Sequence, residues 1–239
     1  MTTNQDRRIA LINGAGSPLV RAVALELARS GFGLVISGPA EQLRRLELSS
    51  LVAQFGTEVV ELPTEEDGSP IKRAYERFGR LDCLVNLQAV QPDLTPEALY
   101  EWPKRTLALS LEAAEVLTGG AGYGAIVNQC FLPGVFAGTA LEECMPAVKG
   151  AVTGITRTLC RKLGDRNISV NCIQTGLMEL PELRALESDV VRGLTPPLGR
   201  RGRPEDVAKL VAFLAAKNRY WTGQAIVLDG GLTSGTTGT

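Results

Sequence analysis

Arg8-Ile9-Ala10-Leu11-Ile12-Asn13-Gly14-Ala15-Gly16-Ser17-Pro18-Leu19-Val20 joins an unbroken apolar run to a glycine-bearing turn and then to the start of a helix. A run with no polar alternation is what a strand buried on both faces requires. Past the turn, Leu19, Val20, Val23, Ala24 and Leu27 recur at helical spacing and give Leu19 to Ser30 one apolar stripe. Six further runs of the first kind follow: Leu34 to Ser37, Glu58 to Leu62, Leu81 to Asn86, Ala125 to Cys130, Ile168 to Ile173 and Ala225 to Leu228. Helix-length segments separate most of them. That alternation predicts a parallel sheet covered by helices on both faces, an α/β domain. There is no internal repeat or break in composition, so residues 1–239 read as one domain, with 234–239 as a mobile Gly/Thr-rich tail.

Two segments depart from the plain alternation. Leu62 to Pro70 is rich in turn formers and leaves only Ile71 to Phe78 for the next helix. Leu177 to Gly199 is long, carries Pro181, Pro196 and Pro197, and follows a strand end, where ligands enter open α/β sheets. A substrate lid and a packing or partner-binding segment are equal readings of it.

Composition narrows the chemistry. The 25 basic and 26 acidic residues leave a formal charge of −1 with no basic stripe, which argues against a nucleic-acid partner. The chain contains no histidine, so the commonest general base and the commonest transition-metal ligand are missing together. Zinc hydrolases and Ser-His-Asp hydrolases are excluded, and no metal site is expected. Cys83, Cys130, Cys144, Cys160 and Cys172 are widely spaced without a CxxC pair and read as reduced core thiols. The first residues, Met1 to Arg8, lack an apolar signal region, and no stretch approaches the ~20 apolar residues that span a bilayer. The expected location is cytoplasmic, with no membrane partner.

Several motifs then fall in a familiar order. They are Asn13-Gly14-Ala15-Gly16 after the first strand, Leu84-Val85-Asn86, Ile126-Val127-Asn128, Val170-Asn171-Cys172-Ile173, Arg200 to Ala208, Phe213-Leu214-Ala215, Thr222-Gly223-Gln224 and Asp229-Gly230-Gly231. In these the chain resembles the short-chain dehydrogenase/reductase family over nearly its whole length, and its ketoacyl-carrier-protein-reductase-like branch most. The resemblance implies a single Rossmann-type doubly wound domain with a seven-stranded parallel sheet, assembled as a tetramer.

The family's chemistry uses a serine, a tyrosine and a lysine with a helix asparagine, and three of the four are replaced here. Ser110 stands at the asparagine position, Phe131 at the serine and Met145 at the tyrosine; only Lys149 is retained. A phenyl ring cannot donate to an oxyanion, and a thioether has no proton to exchange. Cys130, next to Phe131, is a weak donor. Losing general acid–base catalysis costs ~10²–10⁴ in rate, and losing an oxyanion donor roughly 10²–10³. Spacing from Phe131 to Met145 is one residue longer than usual, so Thr139, Glu142, Glu143 and Cys144 remain candidate substitutes. Tyr123 precedes the fifth strand and should lie at the wrong end of it. Lys149 reads equally as a solvated helix lysine.

Cofactor contacts are eroded in the same way. Gly14 survives, but Pro18 and Val20 take the second and third glycine positions, removing an N–H and adding bulk where pyrophosphate would approach. The turn can still fold, with Ser17 as N-cap and Pro18 in the first helical position. Gly38 stands where a carboxylate would hold the ribose hydroxyls, and Asn86 is followed by Leu87-Gln88-Ala89 in place of Asn-Ala-Gly. No NAD or NADP is therefore expected in this chain. The helices Leu107 to Leu117 and Ala147 to Leu163 and the segment Val207 to Gly231 match the surfaces through which family members pair. Ala147, Gly150, Ala151 and Gly154 either admit a neighbouring subunit or pack the chain's own core.

Together these features predict a catalytically inactive subunit that assembles as a heterotetramer with an active paralogous dehydrogenase. NAD or NADP would sit in that partner, and a hydroxyacyl-CoA is one substrate class for it. Two alternatives stand: an active reductase using Glu142, Glu143 or Cys144, and a non-enzymatic ligand sensor.

Overall fold

A computed structural model of the chain describes residues 7–66, 68–89, 94–117, 122–218 and 220–234, which leaves most of the expected tail outside the described residues. Each of the seven apolar runs carries a strand: β1 (Ile9–Asn13), β2 (Gly33–Gly38), β3 (Val59–Pro63), β4 (Cys83–Asn86), β5 (Gly124–Phe131), β6 (Ile168–Thr175) and β7 (Ala225–Leu228). They form one sheet in the order β3-β2-β1-β4-β5-β6-β7, with every pair parallel. The strands β5 and β6 outrun their apolar stretches because pairing continues to Cys130↔Gln174 and Phe131↔Thr175. At the opposite edge, buried Asp82 accepts from the Ile9 N–H at 2.8 Å and from Arg80 at 2.7 Å, tying β1 to the start of β4.

The described residues hold nine α-helices, in chain order α1 (Val20–Arg29), α2 (Ala40–Leu46), α3 (Leu48–Val52), α4 (Pro70–Phe78), α5 (Pro96–Val116), α6 (Met145–Leu163), α7 (Pro181–Leu186), α8 (Asp189–Arg192) and α9 (Pro204–Ala212). Local chemistry sets several of their ends. Ser69 Oγ accepts from the Ile71 N–H, Pro70 opens α4, and Gly79 at φ +66° closes it. Thr95 caps α5 in the same manner, again with a proline in the first turn.

Two cores flank the sheet. Ala10, Ile12, Leu34, Ile36, Val85 and Val127 pack under α1, α2, α3 and α9. Ile9, Leu11, Val35, Leu84, Ile126 and Val170 pack under α4, α5 and the C-terminal half of α6. Adjacent residues of each strand thus enter opposite cores, which is why the runs show no polar alternation.

Part of the segment Leu177 to Gly199 packs against the rest of the chain. Leu183 and Val191 are buried, and Ser188 Oγ donates to the Ala137 carbonyl at 2.6 Å. Arg201 grips the Glu187 carboxylate with two bonds of 2.5 and 3.0 Å, and the Glu187 side chain is 0% exposed.

Candidate functional site

Strand order reverses between β1 and β4, which opens a crevice at the C-terminal ends of these strands, the usual ligand position in open parallel sheets. Beneath it runs a buried polar ladder. Ser37 Oγ donates to Asn13 Oδ1 at 3.3 Å, Asn13 Nδ2 to Asn86 Oδ1 at 3.2 Å, Asn86 Nδ2 to Asn128 Oδ1 at 3.0 Å, and Asn128 Nδ2 to Thr156 Oγ1 at 3.1 Å. Each strand-to-strand step joins residues in register. Amides that are dry must bond somewhere, and here they bond sideways across four strands and up to α6.

The expected catalytic positions belong to this interior. Ser110 is fully buried on α5 and accepts from Asn86 Nδ2 at 3.4 Å. Phe131 and Met145 are both 0% exposed members of one apolar cluster, and the Phe131 ring meets Phe136 edge-on at 6.2 Å. The phenyl and thioether groups are thus part of the apolar core at these two positions. Lys149, one turn along α6, is half-buried and lines a shallow depression with Thr153, Gly154 and Gln174.

The substitute donors are placed elsewhere. Glu142 accepts from the Gly138 N–H at 2.7 Å and Thr139 Oγ1 donates to the Phe136 carbonyl at 2.7 Å, both serving the turn before α6. Glu143 faces solvent, while Cys144 is buried. Tyr100, not singled out in the sequence, has its phenol held above the usual range chiefly by the neighbouring Cys144 thiol, with lesser contributions from burial and nearby acids. Cys130 Sγ lies 3.9 Å from Cys172 Sγ, and this contact together with burial keeps Cys172 well above the usual thiol range. Cys172 therefore stays a thiol at neutral pH. Tyr123, at the far end of β5, donates to Ser169 Oγ at 2.9 Å.

At the cofactor positions the residues have structural work. Gly14 sits at φ +119°, and a Cβ there would lie 2.2 Å from the Leu87 carbonyl oxygen, so glycine is demanded by the chain's own backbone. Val20 turns into the core under α1. The capping expectation is corrected: α1 begins at Val20 with Leu19 as its cap, so Pro18 stands outside the helix. Ser17 Oγ instead accepts from the Leu19 N–H at 3.4 Å, because the Val20 N–H is already taken by the Ser17 carbonyl in a preceding turn. Asn86 belongs to the polar ladder.

These residues do not fit a dinucleotide. A Cβ on Gly38 would meet Ala15 Cβ at 2.4 Å, so the β2 end is closed against the β1 turn. Gln42 lies across that turn, its Oε1 only 2.6 Å from where a Gly16 Cβ would be. The carboxylate that reaches this corner, Glu65, is bonded to the Ala40 N–H at 3.1 Å.

What remains open is a cavity of about 370 Å³ between the β1 turn, Gln42 and the first half of α5, with Gln88, Trp102 and Arg105 on its wall. Sequence reasoning did not single out Trp102 or Arg105; their spacing of three on one helix was the available signal. Among the described residues no cluster of three or more metal-ligating side chains occurs, and no helix is long and apolar enough to cross a membrane.

A family model described as enoyl-(acyl carrier protein) reductase matches residues 14–233. The chain is 29% identical to cyclohexanol dehydrogenase of Acinetobacter sp. (strain SE19), covering 98% of both chains. It is 30% identical to the 3-oxoacyl-[acyl-carrier-protein] reductase FabG of Thermotoga maritima, over 94% of this chain and 97% of that protein. It is also 30% identical to the (2S)-[(R)-hydroxy(phenyl)methyl]succinyl-CoA dehydrogenase subunit BbsC of Thauera aromatica, over 97% of this chain and 96% of that one. Among solved structures, a dehydrogenase/reductase from Sinorhizobium meliloti 1021 superposes with a TM-score of 0.76 at 23% identity, covering 95% of each chain.

Proposed function

The chain belongs to the short-chain dehydrogenase/reductase family, on its ketoacyl-carrier-protein-reductase-like branch, and from that premise we propose that it is a catalytically silent subunit assembling with an active paralogous NAD(P)-dependent dehydrogenase. The observation that carries this reading is the burial of Phe131 and Met145. A substitution at the rim of an open site can be compensated by a neighbour, whereas core side chains leave no room for the substrate carbonyl. Ser110, bonded within the ladder, offers no hydroxyl to the crevice.

Surface features supply the second half. Ala147, Gly150, Ala151 and Gly154 are all exposed, and a Cβ on either glycine would meet nothing within 4 Å, so they do not pack the chain's own core. Beside them on α5, Leu107 and Leu111 are exposed. Small residues flanked by leucines allow close helix approach, which supports a subunit contact here. The relationship to a named dehydrogenase subunit supports a hydroxyacyl-CoA as the partner's substrate class. One candidate complex is the 2-(hydroxybenzyl)succinyl-CoA dehydrogenase of anaerobic toluene degradation, whose degenerate subunit this chain resembles.

Co-expression with a paralogue carrying the full serine, tyrosine, lysine and asparagine set tests the proposal. Native mass spectrometry is expected to show a mixed oligomer, and the chain alone is expected not to oxidise NADH or NADPH. Absence of any mixed species, or turnover by the chain alone that is lost in Tyr100→Phe or Glu143→Gln, would replace it with the active-reductase reading.

A further inference from the structure

The crevice that has lost its dinucleotide contacts is still a built cavity, of a size ordinary for small-molecule sites. Leu94, Ala98, Leu99 and the Trp102 ring give it an apolar wall, and Gln88 and Arg105 are among its polar residues. Gln88 spends Oε1 on the Phe131 N–H at 3.0 Å, which leaves its buried Nε2 with no acceptor. Trp102 Nε1, on the same wall, is buried and equally without one. A buried donor left unpaired loses its hydration with nothing in return, so two at one cavity call for an acceptor.

Charge points the same way. Arg105 stands on the rim, where partial burial draws its pKa below the usual value. Among the described residues Glu101 is the only acid on the wall, and it is paired with Lys104 at 2.6 Å. The site thus sets a guanidinium beside an apolar surface, with the two orphan N–H groups buried on residues of its wall.

We propose that this crevice binds a small oxyanion with an apolar body, its charged end held by Arg105, Gln88 and Trp102, in place of a dinucleotide. The inference rests on the eroded cofactor contacts of the silent-subunit reading and is independent of assembly.

Trp102 and Trp221 are the only tryptophans, so Trp221→Phe makes Trp102 the sole fluorescent reporter in the cavity. Titration of that variant with 3-phenylpropionate and with phenyl phosphate is expected to give a saturable signal for at least one, the preferred arm identifying carboxylate or phosphate. Neutral 3-phenylpropanol should bind at least about tenfold more weakly, and Arg105→Met should weaken the anion by about tenfold or more, the value of one charge-assisted bond. Calorimetry on Trp102→Phe should show a smaller loss of the same sign. Saturation by NAD or NADP with no response to either anion overturns the proposal, as does equal affinity for the neutral alcohol or an Arg105→Met variant that binds as well as the parent. NADH oxidation by the chain alone is measured in parallel. Turnover there would strike the silent-subunit reading whatever the titration gives.

Discussion

On the proposed silent-subunit reading, Met145 is the residue at which loss of chemistry and gain of packing meet. Its thioether cannot exchange a proton, and its full burial means the position has been reassigned to the core. Replacing it with tyrosine therefore cannot simply repair a site. A phenol is larger than the side chain it would displace and would carry a hydroxyl into an apolar cluster, an overpacking cost of about 1–3 kcal/mol. Met145→Tyr is expected to lower the denaturant midpoint at unchanged slope, and NADH oxidation is expected to stay at the buffer rate. A measurable rate from this single change would show that Phe131 and the ladder-bound Ser110 do not matter. Gly14 teaches a related lesson. It survives where a cofactor glycine is expected, yet its φ of +119° and its approach to the Leu87 carbonyl explain it without any ligand.

At the scale of elements, α6 carries the case for assembly. Its inward face supplies Val148, Val152, Leu159 and Leu163 to the cores, while its outward face is Ala147, Gly150, Ala151 and Gly154. Glycine in a helix interior costs up to about 1 kcal/mol relative to good helix formers. Two on one exposed stripe, with open space around them, ask for a reason outside the chain. Gly154→Leu is expected to leave the melting temperature of the isolated chain unchanged or slightly raised, and to abolish the mixed oligomer in native mass spectrometry. A complex that forms as before would move the contact off α6. The strands were legible from the sequence because burial on both faces writes itself as unbroken apolar runs. Less of α5 was legible, since only Leu107 to Leu117 was picked out whereas the helix begins at Pro96 and runs through Pro103. Proline inside a helix hides its period, and with it the Trp102 and Arg105 pair. The asparagines were visible as separate motifs, but their joining into one ladder depends on strand register, which no local pattern encodes.

At the scale of the whole molecule, one group of exposed apolar residues lies at the β7 edge of the sheet. The half-buried edge strand β7 shows Val227, and near it Phe213 stacks edge-on against Trp221 at 5.5 Å, with Tyr220 almost wholly exposed. An edge strand left with unpaired backbone groups beside aromatic surface is a liability for a chain that works alone. For a subunit it is contact area, and anything that binds the folded chain stabilises it by mass action. Hydrogen exchange should resolve the two cases. In the isolated chain, amides of Ala225 to Leu228 are expected to exchange faster than those of central β5. In the co-expressed pair they are expected to slow together with the α6 stripe, and the melting temperature should rise with partner concentration. Protection confined to the crevice residues 13–16 would instead place the partner, or its cofactor, against the cavity. Unchanged exchange at β7 would leave its exposed edge without an occupant and remove the C-terminal segment from the interface.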